Sequence, residues 1–226
     1  MQERNQKIQM AVLVILSACA AGFIDGFLQP PYFMRAALKA GFFSLIPLIY
    51  FLYRDGSLAD VKRMLIPKKG DLRLALLLGL GVYGMILGGY LVSTRIYDIS
   101  DMVISLTGDA GVGADNFLWV SLYISFVNSF MEEFLFRGFA FVAMKQVSGR
   151  KFAYWFSALV FALYHVGMMA AGNILISLLA VVALVVAGMF FNWLDERSGT
   201  IVPSWLVHMF ANFAINTVAC MIFGII

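Results

Sequence analysis

The segment MEEFLFRGF, Met131–Phe139, places Glu132, Glu133 and Arg137 inside an otherwise apolar stretch. The stretch extends from about residue 116 to about residue 145, which is long enough to form a membrane helix. An ionised side chain is costly in hydrocarbon, and such residues in membrane segments mark functional sites by default. The segment therefore predicts a membrane helix that carries part of a functional site.

The rest of the chain has the composition of a membrane protein. Its 226 residues are 62% hydrophobic and 13% charged, whereas globular domains have about 45–50% apolar and about 25% charged residues. We therefore predict an all-α fold, a polytopic transmembrane helical bundle with about 7–8 membrane helices, in a single integral-membrane domain over residues 1–226. Seven apolar runs are candidates for crossing ~30 Å of hydrocarbon: 9–28, 38–53, 72–94, 116–145, 152–171, 173–194 and 200–225. An eighth helix arises if the third run breaks near its glycines.

Two of these runs are irregular. The second, 38–53, is short and contains Pro47, which predicts a kinked or partial span. The fourth, 116–145, is longer than one crossing needs, so we expect it to tilt or to project into water.

The distribution of basic residues predicts the orientation in the plasma membrane. Cytoplasmic loops of membrane proteins carry an excess of Lys and Arg. The segment between the second and third runs is rich in both, whereas the loop after the third run is acidic, with Asp98, Asp101, Asp109 and Asp115. Alternation then places the N-terminus and the turns near 150 and 197 in the cytoplasm, and the turn near Gly172 and the C-terminus outside. Two basic residues contradict this scheme, Arg35 and Lys39.

Two other classes of protein are excluded by composition. No block of Lys and Arg is interleaved with aromatic residues, so a nucleic-acid partner is not expected. The two cysteines, Cys19 and Cys220, have neither the number nor the spacing of a disulfide framework or a zinc knuckle.

Polar residues inside the apolar runs are few, and they include both histidines of the chain. A single buried histidine is more often a satisfied core residue than a catalytic one. Two histidines and two glutamates in neighbouring runs instead favour one shared polar site. The polar residues within the last four runs are Asn128, Glu132, Glu133, Arg137, His165, Asn192, His208, Asn212 and Asn216.

Helical spacing predicts how these side chains pair. Glu133 and Arg137 are four residues apart, so they share a helix face and can form an ion pair. Glu132 is turned about 100° away and is the better candidate for a free carboxylate. His208 and Asn212 also share one face and can point at one bound group, whereas Asn216 lies one turn further along.

A carboxylate, two imidazoles and an amide, without a serine or cysteine, suit hydrolysis by water. A glutamate in a poorly solvated site can deprotonate water, a histidine can orient it, and His with Asn can stabilise an oxyanion. Alternatively, Glu132, His165 and His208 could bind a zinc ion whose water is the nucleophile. No H-E-x-x-H motif is present, and the sequence leaves both mechanisms open.

At these residues the chain resembles the CPBP intramembrane proteases, which include the CAAX prenyl endopeptidases and bacteriocin-processing and self-immunity proteins. Three motifs carry the resemblance: EEFLFR at 132–137, FALYH at 161–165 and HMFAN at 208–212. The resemblance implies that Glu132 acts as general base with His165, that His208 and Asn212 form the oxyanion site, and that Glu133 and Arg137 support the first helix. It also implies a protease core at about 116–226 and no obligatory tightly bound metal, with zinc as the alternative cofactor.

The expected partners are membrane lipids and a peptide or lipidated-protein substrate, such as a prenylated CAAX protein, a peptide pheromone or a bacteriocin precursor. The site is expected to open to the cytoplasm. Two other interpretations remain from the sequence. A proton-coupled transporter also uses buried Glu and His, and a non-catalytic immunity or scaffold protein would use the polar cluster only to join helices.

Overall fold

The computed structural model describes residues 2–95, 116–166 and 174–226. Within these ranges every regular element is helical, which confirms the predicted all-α class. The acidic loop that contains Asp98 and the turn near Gly172, both used to predict orientation, lie outside the described residues. In chain order the described helices are α1 Gln2–Leu28, α2 Tyr32–Asp55, α3 Ala59–Met64, α4 Lys69–Ser93, α5 117–148, α6 Arg150–Val166, α7 Ile174–Ser198 and α8 Val202–Ile222.

Five of the described helices are long and apolar enough to cross a membrane: α1, α2, α4, α8 and the Ser177–Ser198 part of α7. They fit a multi-pass membrane protein. The other two long helices, α5 and α6, hold the charged motif and His165, and α6 has 17 residues. The predicted count of seven or eight membrane helices therefore stays a prediction.

Helix α2 is continuous through Pro47, so the partial span that the sequence allowed is wrong, and the predicted kink stays a prediction. A proline has no N–H, and its ring clashes with the carbonyl four residues earlier. Here a π-helical stretch, Gly41–Leu45, lies immediately before the α-helical part Ile46–Asp55. This wider turn accommodates the proline, so the helix runs from Tyr32 to Asp55.

Several turns meet at one end of the bundle. Glu196 near the end of α7 lies 3.3 Å from Lys145 Nζ and 2.9 Å from Arg150 Nη2, which flank the α5–α6 turn. The Ile201 N–H donates to the Met64 carbonyl at 2.9 Å, which joins α3 to the α7–α8 turn. These segments share one end of the bundle, as the predicted alternation requires. The cytoplasmic orientation of that end stays a prediction.

The two basic residues that contradict the orientation scheme have partners. Lys39 Nζ lies 2.9 Å from Asp25 Oδ2, and both side chains are largely enclosed between α1 and α2. Arg35 Nε donates to the Pro30 carbonyl at 2.7 Å. Partner groups lower the cost of placing a charge away from the cytoplasmic side, because an unpaired charge would have to be desolvated alone.

Helix α5 is the central helix of the bundle. Its side chains pack against α1, α2, α6 and α8, and nine of the ten residues of Phe134–Ala143 are buried. The Phe136 ring meets Phe43 of α2 at 5.6 Å and Phe161 of α6 at 5.4 Å between centroids. Protein side chains therefore shield the charged motif from lipid, which explains how an apolar bundle accommodates it.

Helix α8 is fixed against α4 at one close approach. Gly79 of α4 faces the Phe210 ring, and a Cβ at this position would overlap that ring. Only glycine leaves the space that the aromatic ring occupies, and Phe210 lies between His208 and Asn212 on the same helix. The contact sets how close the two helices lie.

Candidate active site

Glu132 lies at the centre of the site, between two helices that each contribute a histidine. Its Oε1 accepts a hydrogen bond from Asn128 Nδ2 at 2.7 Å. Its Oε2 lies 3.7 Å from His165 Nε2 and 3.9 Å from His208 Nε2. The carboxylate is buried, and the structure thus brings together three of the four residues predicted to be catalytic.

The backbone of α5 changes geometry around this carboxylate. A π-helical stretch, Tyr123–Asn128, precedes the short α-helical segment Ser129–Glu133, and a second π-helical stretch follows as Phe134–Ala143. Wide π turns inside helices are frequent at functional sites because they change which side chains share a face. Despite this change, the side chains of Asn128 and Glu132 lie on the same side of α5 and form a hydrogen bond.

Both imidazoles present Nε2 to Glu132, and each is fixed through Nδ1. His165 Nδ1 lies 2.8 Å from the Phe161 carbonyl. Because a carbonyl can only accept, His165 carries its proton on Nδ1 and has an acceptor at Nε2. His208 Nδ1 lies 2.8 Å from Glu133 Oε1, so a carboxylate orients the second ring.

The predicted pair of Glu133 and Arg137 is present and fully enclosed. Arg137 Nε lies 3.3 Å from Glu133 Oε2, and neither side chain is exposed. The guanidinium lies 4.0 Å above the Phe161 ring centre and 5.0 Å from that of Phe191. Sequence spacing predicted this pair but missed the second contact of Glu133, with His208, because that contact joins helices 75 residues apart.

The fourth predicted residue, Asn212, binds the backbone of α5. Its Nδ2 donates to the Ile124 carbonyl at 3.2 Å, which leaves one N–H and the carbonyl oxygen of the amide for other partners. Asn216, predicted to be a helix contact, donates to the Ser121 carbonyl and to Ser125 Oγ. The oxyanion role of Asn212 stays a prediction.

Two residues that contribute to the site were missed by sequence reasoning. Asn128 was noted as a polar residue without a role, although its position four residues before Glu132 was the signal. Asp195 was assigned to a cytoplasmic turn, whereas its side chain is completely buried against α8. No spacing rule could have found it, because its partner lies on another helix.

The donor types for zinc are present, but a formed metal centre is not. One glutamate and two histidines are a ligand set that zinc accepts. Among the residues that the structure describes, however, no three His, Cys, Asp or Glu side chains are arranged to hold a metal ion.

Comparison with known protein families decides the assignment of this helical core. Residues 114–214 match the family described as type II CAAX prenyl endopeptidase Rce1-like. This segment, less than half of the chain, is similar to the Rce1-like family. The match contains all three motifs and all six predicted site residues, which confirms the resemblance seen in the sequence. No curated protein and no solved structure matches the chain. The similarity supports a CAAX-type protease, and the match extends from the start of α5 into α8.

Proposed function

We propose that this protein is a glutamate-dependent intramembrane endopeptidase in which Glu132 activates water. The observation that carries the proposal is the placement of Glu132 Oε2 at 3.7 Å from His165 Nε2 and 3.9 Å from His208 Nε2. These separations are too long for direct hydrogen bonds and suit a water molecule bound among the three groups.

The proposed reaction begins with proton transfer from this water to Glu132. The hydroxide oxygen forms a bond to the carbonyl carbon of the scissile peptide, and His165 Nε2 accepts the second water proton as a hydrogen bond and orients the attack. Protonated Glu132 then gives its proton to the amide nitrogen as the C–N bond breaks. Each proton is thereby accounted for, and Glu132 returns to its ionised form.

The negative oxygen of the tetrahedral intermediate requires donors. His208 in its protonated form can donate from Nε2, since Glu133 accepts from Nδ1 and balances the charge. The free N–H of the Asn212 amide is the second proposed donor. In this scheme Glu133 plays the part that an acidic residue plays behind a catalytic histidine elsewhere, holding the ring and stabilising its cation.

The proposed substrate is a membrane-associated peptide or lipidated protein. The family's name supplies the CAAX prenyl class. Membrane lipids are the surrounding partner, and we place the opening of the site towards the cytoplasm of a plasma-membrane protein, following the distribution of basic residues. No nucleic-acid partner is proposed.

Cleavage of fluorogenic peptides by the detergent-purified protein tests the proposal. We expect Glu132→Gln and His165→Ala to abolish cleavage, because each removes a group that handles the water. Glu196→Gln is the matched control, because Glu196 interacts with Lys145 and Arg150 at the end of the bundle. Full activity of Glu132→Gln would overturn the mechanism.

Two further measurements test whether cleavage requires zinc and whether the lipid of the substrate is recognised. A zinc chelator should leave cleavage unchanged, and loss of activity that added zinc restores would replace the water mechanism by a metal mechanism. A farnesylated CAAX peptide should be cleaved faster than the same peptide without its lipid. Equal rates would show that prenylation is not recognised.

A further inference from the structure

Helix α7 carries none of the three motifs, yet its Asp195 contacts the helix that carries His208. Asp195 is fully buried. Its Oδ2 accepts a hydrogen bond from the Ser204 hydroxyl at 2.8 Å, and its Oδ1 accepts from the Ser204 N–H at 3.3 Å. One carboxylate thus makes two hydrogen bonds with one residue of α8.

The contact lies at the start of α8, where helices have unpaired donors. Helix α8 begins at Val202, so the N–H of Ser204 belongs to the first turn and has no partner within the helix. A carboxylate near a helix N-terminus is stabilised by these donors and by the helix dipole. Asp195 therefore caps α8 from a neighbouring helix, and His208 follows Ser204 by one helical turn.

A second side chain on the same face of α7 contacts the imidazole directly. Phe191 precedes Asp195 by four residues, and its ring stacks on His208 with 5.7 Å between centroids and 23° between planes. The same ring lies 5.0 Å from the Arg137 guanidinium. Helix α7 thus holds the His208 ring by stacking and the start of its helix by hydrogen bonds.

We propose that Asp195 is a positioning residue for His208. It acts through its two hydrogen bonds with Ser204, which set the position of the first turn of α8. The effect on catalysis rests on the proposed function above, whereas the effect on the ring of His208 does not. The experiment therefore measures both.

The ring is measured by NMR, because the chain has only two histidines. The 226-residue chain, labelled with ¹⁵N in the imidazole rings and held in detergent micelles, gives two sets of ring signals, assigned with His165→Gln. We expect Asp195→Ala to shift or broaden the His208 signals and to leave those of His165 in place. Unchanged His208 signals would overturn the proposal.

Asn192→Ala is the matched control for this measurement. Asn192 is equally buried on α7, but its partners, Ser157 Oγ and the Tyr154 carbonyl, both at 3.1 Å, belong to α6. We expect this variant to lose stability without moving the His208 signals. Equal shifts in the two variants would show that α7 acts only as a structural support.

Kinetics give the catalytic consequence. Displacement of a reacting group by about 1 Å can reduce a rate by about 100-fold, so we expect Asp195→Ala to lower kcat by roughly 10-fold to 100-fold while KM changes by less than about twofold. Asp195→Asn keeps an acceptor for the Ser204 N–H and should recover most of kcat. If Asp195→Ala does not fold, Ser204→Ala removes only the hydroxyl contact and is measured in its place. No loss in kcat, or a KM effect alone, would contradict the proposal.

These results separate the two proposals. If no form of the protein cleaves peptide, the proposed function fails, and the NMR signals still decide whether Asp195 positions His208. If cleavage occurs and the His208 signals do not respond to Asp195→Ala, only the positioning role fails.

Discussion

The two imidazoles that face Glu132 are held in different ways. His208 is fixed by a carboxylate at 2.8 Å and by the stacked ring of Phe191, so side chains from two other helices set its position. His165 is fixed by a carbonyl of its own helix and by the edges of the Phe161 and Tyr164 rings. Its side chain is 19% exposed, against 10% for His208. We call His208 with Glu133 and Phe191 the His208 wall, and His165 with Phe161 and Tyr164 the His165 wall. The His208 wall is held by contacts from other helices, and the His165 wall is the more exposed.

Buried polar atoms without a hydrogen-bond partner among the residues described occur on both sides of Glu132. On the His208 side they belong to the charged pair of Glu133 and Arg137, and beside His165 the hydroxyl of Tyr164 is one of them. A buried hydroxyl without a partner costs free energy. The comparison teaches that charge organises the His208 wall, whereas aromatic packing organises the His165 wall.

The largest effect on stability is expected for the charged pair behind His208. Arg137→Met removes the cation and leaves Glu133 buried without its ion-pair partner, which costs about 3–5 kcal/mol for a buried pair. We expect a large fall in the thermal unfolding temperature in detergent. The double variant Glu133→Gln with Arg137→Met should be more stable than Arg137→Met alone, and an equally unstable double variant would show that the pair is not the cause.

A smaller effect, on catalysis, is expected at Glu132, which lies between the two histidines. Asn128→Ala removes the hydrogen bond that holds Glu132 Oε1, and a hydrogen bond to a charged group contributes about 1.5–3 kcal/mol. We expect kcat/KM to fall by about 10-fold to 100-fold with fluorogenic peptides. Asn216→Ala breaks a contact between α8 and α5 further along and serves as the control. Equal losses in both variants would contradict a specific role of Asn128.

The smallest effect on stability is expected for Tyr164, whose ring packs on His165. Tyr164→Phe removes a buried hydroxyl that has no partner among the described residues, so the unfolding temperature should stay the same or rise slightly. Tyr83→Phe, by contrast, breaks a hydrogen bond of 3.1 Å to Thr217 and should cost about 0.5–1.5 kcal/mol. A loss in Tyr164→Phe as large as in Tyr83→Phe would mean that the Tyr164 hydroxyl is bonded, and the two walls would then be alike.

Contacts within one helix could be predicted from the sequence, and contacts between helices could not. The spacing of Glu133 and Arg137 predicted their ion pair, because i and i+4 share a helix face whatever the fold. The contact of Glu133 with His208 depends on how α5 and α8 pack, which no spacing encodes. Asp195 was missed for the same reason.

Helix geometry limited the prediction in another way. Pro47 predicted a kinked or partial span, since a proline kinks or breaks an ordinary α-helix, but the helix continues past it and the π-helical stretch Gly41–Leu45 supplies a wider turn. Apolar length predicted α1, α4 and α8 well. The runs 116–145 and 152–171 likewise predicted helices α5 and α6, whereas their crossing of the membrane stays a prediction.

The close approach of Gly79 and Phe210 joins α8 to a helix that lies outside the family match. The family match begins at residue 114, and the predicted protease core begins at about 116, yet Phe210 packs against a helix that precedes both. A chain shortened to start at 116 would keep every motif residue and lose the surface of α4 against which α8 packs. The matched segment alone therefore leaves one face of α8, the helix that carries His208 and Asn212, without its packing partner.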